Sequence, residues 1–142
     1  MATRSRIAIE NENGSVTSIY CHWDGYIEHN GDILVNHYRE REKVQKLIDL
    51  GAISSLASKL ETSLKHKFET PISGVVVAYH RDRGDNFSQS THKDRNAYFA
   101  SDIEEYGYLF TLEGEWLVKN SHPHSIPKNV ASILSGFEEL ED

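Results

Sequence analysis

The sequence predicts an α+β domain, a mainly antiparallel sheet of about five strands with helices packed on one face. Three observations lead there. Short β-branched and aromatic runs occur at residues 6–10, 15–22, 75–79, 106–112 and 115–119. Apolar residues between them recur at helical rather than alternating spacing. Two pairs of runs are joined by turn dipeptides, Asn13-Gly14 and Glu113-Gly114, which favour tight antiparallel hairpins.

Each element follows in order. Residues 6–10 and 15–22 form the opening hairpin, because Asn-Gly tolerates positive φ at both turn positions. Asn30 or Asp32 caps a helix through Leu34 and Tyr38, and residues 40–50 place Val44, Leu47 and Ile48 on one face before a stop at Gly51. A short helix starting at Ser54 is expected to carry Leu56 and Leu60. Residues 61–74 hold Pro71 and Gly74 with little periodicity, so they read as a loop or insertion. The run 75–79 is a buried strand, 84–95 is irregular, and 96–105 is helical through Tyr98, Phe99 and Ile103. The second hairpin follows. A last helix opens at Ser125 and Pro127, turns Val130, Ile133 and Leu134 inward and ends at Gly136. The core is expected at Ile7, Ile9, Ile19, Val44, Leu47, Ile48, Val75, Val77, Leu109 and Trp116.

Length and charge bound the function. The 142 residues suit one domain, residues 1–136, followed by an acidic tail at 137–142. Hydrophobic residues make up 38% and charged residues 26%, which suits a globular chain rather than a disordered one. A net charge of −7 argues against broad nucleic-acid binding, which needs clustered Lys and Arg. It leaves room for a few local arginines around a small nucleotide, for docking on a basic protein, or for a homo-oligomer. Cys21 is the single cysteine, so no disulfide framework or Cys-based zinc site is expected. Residues 1–6 lack the apolar stretch of a secretory signal and no run reaches membrane-spanning length, so a cytosolic setting is expected.

Two polar, ring-rich bursts carry what chemistry there is. Tyr20, His22, Trp23, Asp24 and Tyr26 follow one strand; His80, Arg81 and Arg83 follow another. Parallel strands in one sheet would bring both bursts to a single edge, where open sheets place ligands. Trp23 and Tyr26 then serve as stacking platforms, His22 and Asp24 give polar specificity, and the arginines fork onto phosphate or carboxylate. The bland alternatives are a turn capped by Asp24 and a solvated loop of mutually paired Arg and Asp. His22, Asp24, His80 and Asp82 lack a diagnostic metal spacing, so neither metal nor cofactor is expected. Cys21 lies in a strand, where a thiol is usually inert packing. His122-Pro123-His124 reads as a surface turn, and there is no nucleophile elbow or phosphate loop.

The opening Met1-Ala2-Thr3-Arg4-Ser5-Arg6-Ile7-Ala8-Ile9-Glu10 and the string Tyr20-Cys21-His22-Trp23-Asp24-Gly25-Tyr26 resemble a family of small uncharacterised bacteriophage and prophage proteins. The likeness extends through Glu28-His29-Asn30-Gly31, residues 47–56 and residues 77–84. It implies a phage origin and an accessory role in the host cytoplasm, with no established activity to transfer. The leading expectation is therefore a non-enzymatic protein that binds a host protein or a nucleotide-like ligand to counter host defence. The alternative is a small hydrolase or nuclease that handles a phosphate-containing substrate through His22, Asp24, His80 and Arg83.

Overall fold

A computed structural model describes residues 2–140 of the chain. Its organising element is β1 (Ser5–Glu10), in which Ile7 and Ile9 face one side and Ala8 the other, all fully buried. A strand apolar on both faces belongs in the middle of a covered sheet. β1 pairs antiparallel with β2 (Val16–Cys21) through the Asn-Gly hairpin, and on its other edge parallel with β6 (Tyr106–Phe110). Beyond β6 come β7 (Trp116–Asn120) and β8 (Lys128–Asn129), both antiparallel. Beyond β2 come β3 (Ile53–Ser55), parallel to it, and β4 (Val77–Ala78), antiparallel to β3. β5 (Ser90–His92) also joins β2, along residues 16–18. The result is one mixed sheet of eight strands.

Helices cover both faces. A π-helical turn, Ile27–Gly31, continues into α1 (Asp32–His37); α2 (Arg41–Ile48) and α5 (Val130–Leu134) lie on the same side. Leu34, Tyr38, Val44, Leu47, Ile48 and Val130 pack there against Ile7, Ile9, Ile19, Tyr108 and Phe110. Tyr38 ties this layer down, because its hydroxyl donates to Ala57 O at 2.7 Å and its carbonyl accepts from Trp116 Nε1 at 2.9 Å. On the opposite face α4 (Arg95–Ala100), capped by the Asp94 side chain, puts Tyr98 and Phe99 with Ile103 over Ala8, Val16 and Leu109. α3 (Tyr79–Arg83) buries none of its residues.

All ten expected core residues are buried, but the predicted fold needs correcting. The sheet has eight strands, not about five, and the pairings β1 with β6 and β2 with β3 are parallel. Residues 53–55 form a strand where a short helix was expected, β5 lies in the stretch read as irregular, and β8 precedes the last helix. These strands are two or three residues long, too short for any alternation to register. α4 adds a second helical layer, so the helices do not sit on one face. The 75–79 run contributes strand only at residues 77 and 78, and its Tyr79 already begins α3. Leu134 is exposed rather than inward, while Leu140 packs against the core; the last two residues of the acidic tail lie outside the described residues.

Candidate functional site

The two ring-rich bursts leave the sheet in opposite directions. β3 is parallel to β2 and antiparallel to β4, so β4 runs against β2. The chain after β2 climbs beside β3, with Trp23 N donating to Ser54 O, whereas the chain after β4 turns back, with Tyr79 N donating to Ala52 O. The two bursts thus do not share one sheet edge as expected, although Tyr79, which precedes His80, acts electrostatically on the Tyr20 hydroxyl.

His80, Arg81 and Arg83 are engaged within the fold. Arg81 spreads its guanidinium over Asp82 Oδ1 (2.9 Å), Val76 O (2.7 Å) and Leu60 O. Burial opposes ionisation of Asp82, but the Arg81 hydrogen bond, the Ala78 N–H and the Arg81 charge outweigh it and hold the carboxyl below the usual range. Arg83 lies side-on to Asp85 at 2.9 and 2.7 Å and over the rings of Phe68 and Tyr79. His80 Nδ1 meets Asp85 O at 2.7 Å. His66, which nothing in the sequence singled out, completes this group. Its Nδ1 accepts from Ile72 N, so its Nε2–H faces Val76 O and Asp82 Oδ2 at 3.1 and 3.2 Å. Both His66 nitrogens are occupied and its side chain is 7% exposed, which makes it a clasp for the long loop.

The group after β2 is built differently. His22 N donates to Ile53 O, Trp23 N to Ser54 O and Gly25 N to Thr3 O. Trp23 O accepts from Cys21 Sγ and from Asn30 Nδ2, and Gly25 O accepts from the buried Tyr108 hydroxyl at 2.6 Å. A Cβ on Gly25 would sit 2.7 Å from Ser5 Cβ and 2.9 Å from Thr3 O, so only glycine fits there. Asp24 takes a positive φ of 57°, which Asp tolerates better than most residues. Burial pushes the Cys21 thiol up to about 11, so it is no nucleophile at neutral pH. Tyr20 and His22 are linked through Oη and Nδ1 at 2.7 Å, and the Trp23 ring meets His22 edge-on.

This anchored loop displays Trp23 at 44% and Tyr26 at 39% exposure. His29 stands beside Tyr26, its Nδ1–H donating to the buried Asn30 and its Nε2 4.0 Å from Asp24. Next to Tyr26 lies an open cavity of about 420 Å³ that includes Thr3, Glu105, Ser121 and His122. A larger cleft of about 590 Å³ starts from the same Ser121 and runs past Glu104 and Asp102 to Phe99. The two hollows join loops from the ends of β1, β2, β6 and β7, so sequence spacing gave no hint of them. Among the described residues no group of three or more His, Cys, Asp or Glu could hold a metal ion, and no helix is long and apolar enough to cross a membrane. Comparison with protein-family models, curated proteins and solved structures gives no match.

Proposed function

We propose that this chain is a non-catalytic binding protein that docks a basic segment of a partner protein on the Trp23–Tyr26 loop. One observation carries the reading: a loop whose backbone is tied down at five points nevertheless turns a tryptophan and a tyrosine toward solvent. Trp and Tyr anchors dominate interface energetics, and a rigid loop loses little entropy on binding. Asp24 and Glu28 flank these rings in the sequence, Glu105 lines the same hollow as Tyr26, and the chain carries a net charge of −7, so a cationic side chain fits by cation–π contact and charge. On the phage resemblance the partner is a host protein in the host cytoplasm, and its masking would counter host defence. A nucleotide-like ligand would need cations beside Trp23, and Arg81 and Arg83 are spent on Asp82, Asp85 and backbone carbonyls.

The test is capture from bacterial lysate with the wild-type chain and a Trp23→Ala/Tyr26→Ala variant. Two lost hot spots should weaken binding by roughly 100-fold or more while the melting temperature stays nearly unchanged. Capture should fall with salt, as charge steering does. The same partner retained at full strength by the double variant would place the binding surface elsewhere.

A further inference from the structure

The chain contains two Asn-Gly pairs, Asn13-Gly14 and Asn30-Gly31. In such a pair the glycine nitrogen can approach the side-chain amide carbon of the asparagine, because no Cβ stands in its way. The structure sets the two pairs in opposite surroundings. Asn30 is fully buried: its Nδ2 donates to Cys21 Sγ and Trp23 O, and its Oδ1 accepts from His29 Nδ1. Gly31 is wedged against Ile27 and Val130, and the π-helical turn fixes the backbone of both residues. Asn13, by contrast, is exposed in the turn of the β1–β2 hairpin, and a Cβ on Gly14 would meet nothing within 4 Å.

The turn does more than leave Asn13 open. Ser15 Oγ donates to Asn13 Oδ1 at 2.6 Å and is itself oriented by Asn11 Nδ2, which donates to it at 3.1 Å. Ser15 N donates to the same Asn13 Oδ1 at 3.0 Å. Two donors thus converge on the amide oxygen, where negative charge develops when a nucleophile adds to the side-chain carbonyl carbon, Cγ. Gly14 N is the nucleophile at hand. It donates to Asn11 O at 2.8 Å, a single hydrogen bond of an exposed turn, and such bonds open at low free energy.

We infer that Asn13 is a deamidation site and that Ser15 promotes the reaction. Gly14 N gives up its proton to solvent and bonds to Asn13 Cγ. The Cγ–Nδ2 bond breaks, the leaving nitrogen takes a proton from solvent and departs as ammonia, and a cyclic succinimide remains. Water then opens the ring at either carbonyl to give an aspartyl or an isoaspartyl linkage, with no oxidant or reductant involved. Either product adds a negative charge to a chain of net charge −7, and the isoaspartyl form lengthens the backbone of the turn by a methylene. The site lies at the opposite end of β2 from the Trp23–Tyr26 loop and does not depend on that loop's binding role.

The test incubates the whole folded chain in mildly alkaline buffer and follows both Asn-Gly peptides by mass spectrometry, with a parallel sample in urea. Deamidation shows as a gain of about 1 Da at the modified residue. In urea both sites should convert at similar rates. In the folded chain position 13 should convert while position 30 lags by about 100-fold or more, because it must await opening of the core. Ser15→Ala should slow position 13 by roughly threefold or more in the folded chain, the scale of one hydrogen bond, and leave its rate in urea unchanged. A position 13 as inert as position 30 in the folded chain would overturn the site. A folded-state rate for Ser15→Ala equal to or above that of the wild type would overturn the part given to Ser15.

Discussion

Tyr108→Phe removes one oxygen and is the cleanest probe of how the candidate loop is held. Tyr108 is fully buried on β6, and its hydroxyl donates to Gly25 O at 2.6 Å. Gly25 is itself buried, with no room beside it for a Cβ, so the loop has little freedom to shift and recover a partner for that carbonyl. The substitution leaves the aromatic packing in place and opens a space smaller than a methyl group. Its cost is therefore the desolvated, unpaired carbonyl, about 1–3 kcal/mol. Urea unfolding followed by far-UV circular dichroism measures it as a fall in midpoint with unchanged slope. Tyr26→Phe, which removes an exposed hydroxyl, should stay within about 0.5 kcal/mol of wild type and serves as the control. Partner capture should survive Tyr108→Phe, because five other hydrogen bonds still anchor the loop. A loss below about 0.5 kcal/mol would mean that the Gly25 carbonyl is solvated and that the loop is not held as described.

Two further outcomes follow from the charged contacts. The Arg95 hydrogen bond holds the Glu10 carboxyl below its ordinary range; burial opposes this, and the Leu112 N–H with the Arg95 and Arg41 charges adds to it. A depressed folded value means that Glu10 contributes stability above the ordinary carboxylate range, and the contribution disappears as pH falls through the folded value. Glu10→Gln should therefore flatten the acid limb of a stability-versus-pH curve and leave its alkaline limb unchanged; identical acid limbs would refute the assignment. Arg81→Ala should cost about 1 kcal/mol or more of stability, read as a lower urea midpoint, because it frees the Leu60 and Val76 carbonyls. Arg83→Ala should barely move it, and equal effects of the two would contradict the division drawn between them.

Much of the core was legible because it rests on long periodic segments. The α2 face of Val44, Leu47 and Ile48 is an amphipathic pattern, and both hairpins set β-branched and aromatic runs around a turn dipeptide; tertiary contacts reinforce each. The sheet's extent was not legible. β3, β5 and β8 take their strand geometry from partners already in place rather than from their own composition. Trp23 and Tyr26 drew notice as ring-bearing residues after a strand, and the structure displays them to solvent. Arg81 and Arg83 drew equal notice, but pairing with Asp82 and Asp85 one and two residues away was already written in the sequence as the blander reading. His66 gave no signal, because what distinguishes it is its set of partners, Ile72 N, Val76 O and Asp82, and these meet only in the folded loop.

The place of β1 at the centre of the sheet bears on how the chain acquires its structure. This strand is synthesised well before β6, for which one of its edges waits, and hydrogen bonds such as Arg4 to Glu105 and Leu112 to Glu10 join residues 101 and 102 positions apart. Until that segment has emerged from the ribosome, the β1–β2 hairpin offers an open apolar edge. Closing a loop of this length before any contact rewards it makes for slow folding and a period of vulnerability to aggregation. Substitutions that strengthen the Asn13-Gly14 turn should therefore speed formation of the hairpin without removing the slow step, because β6 sets the pace.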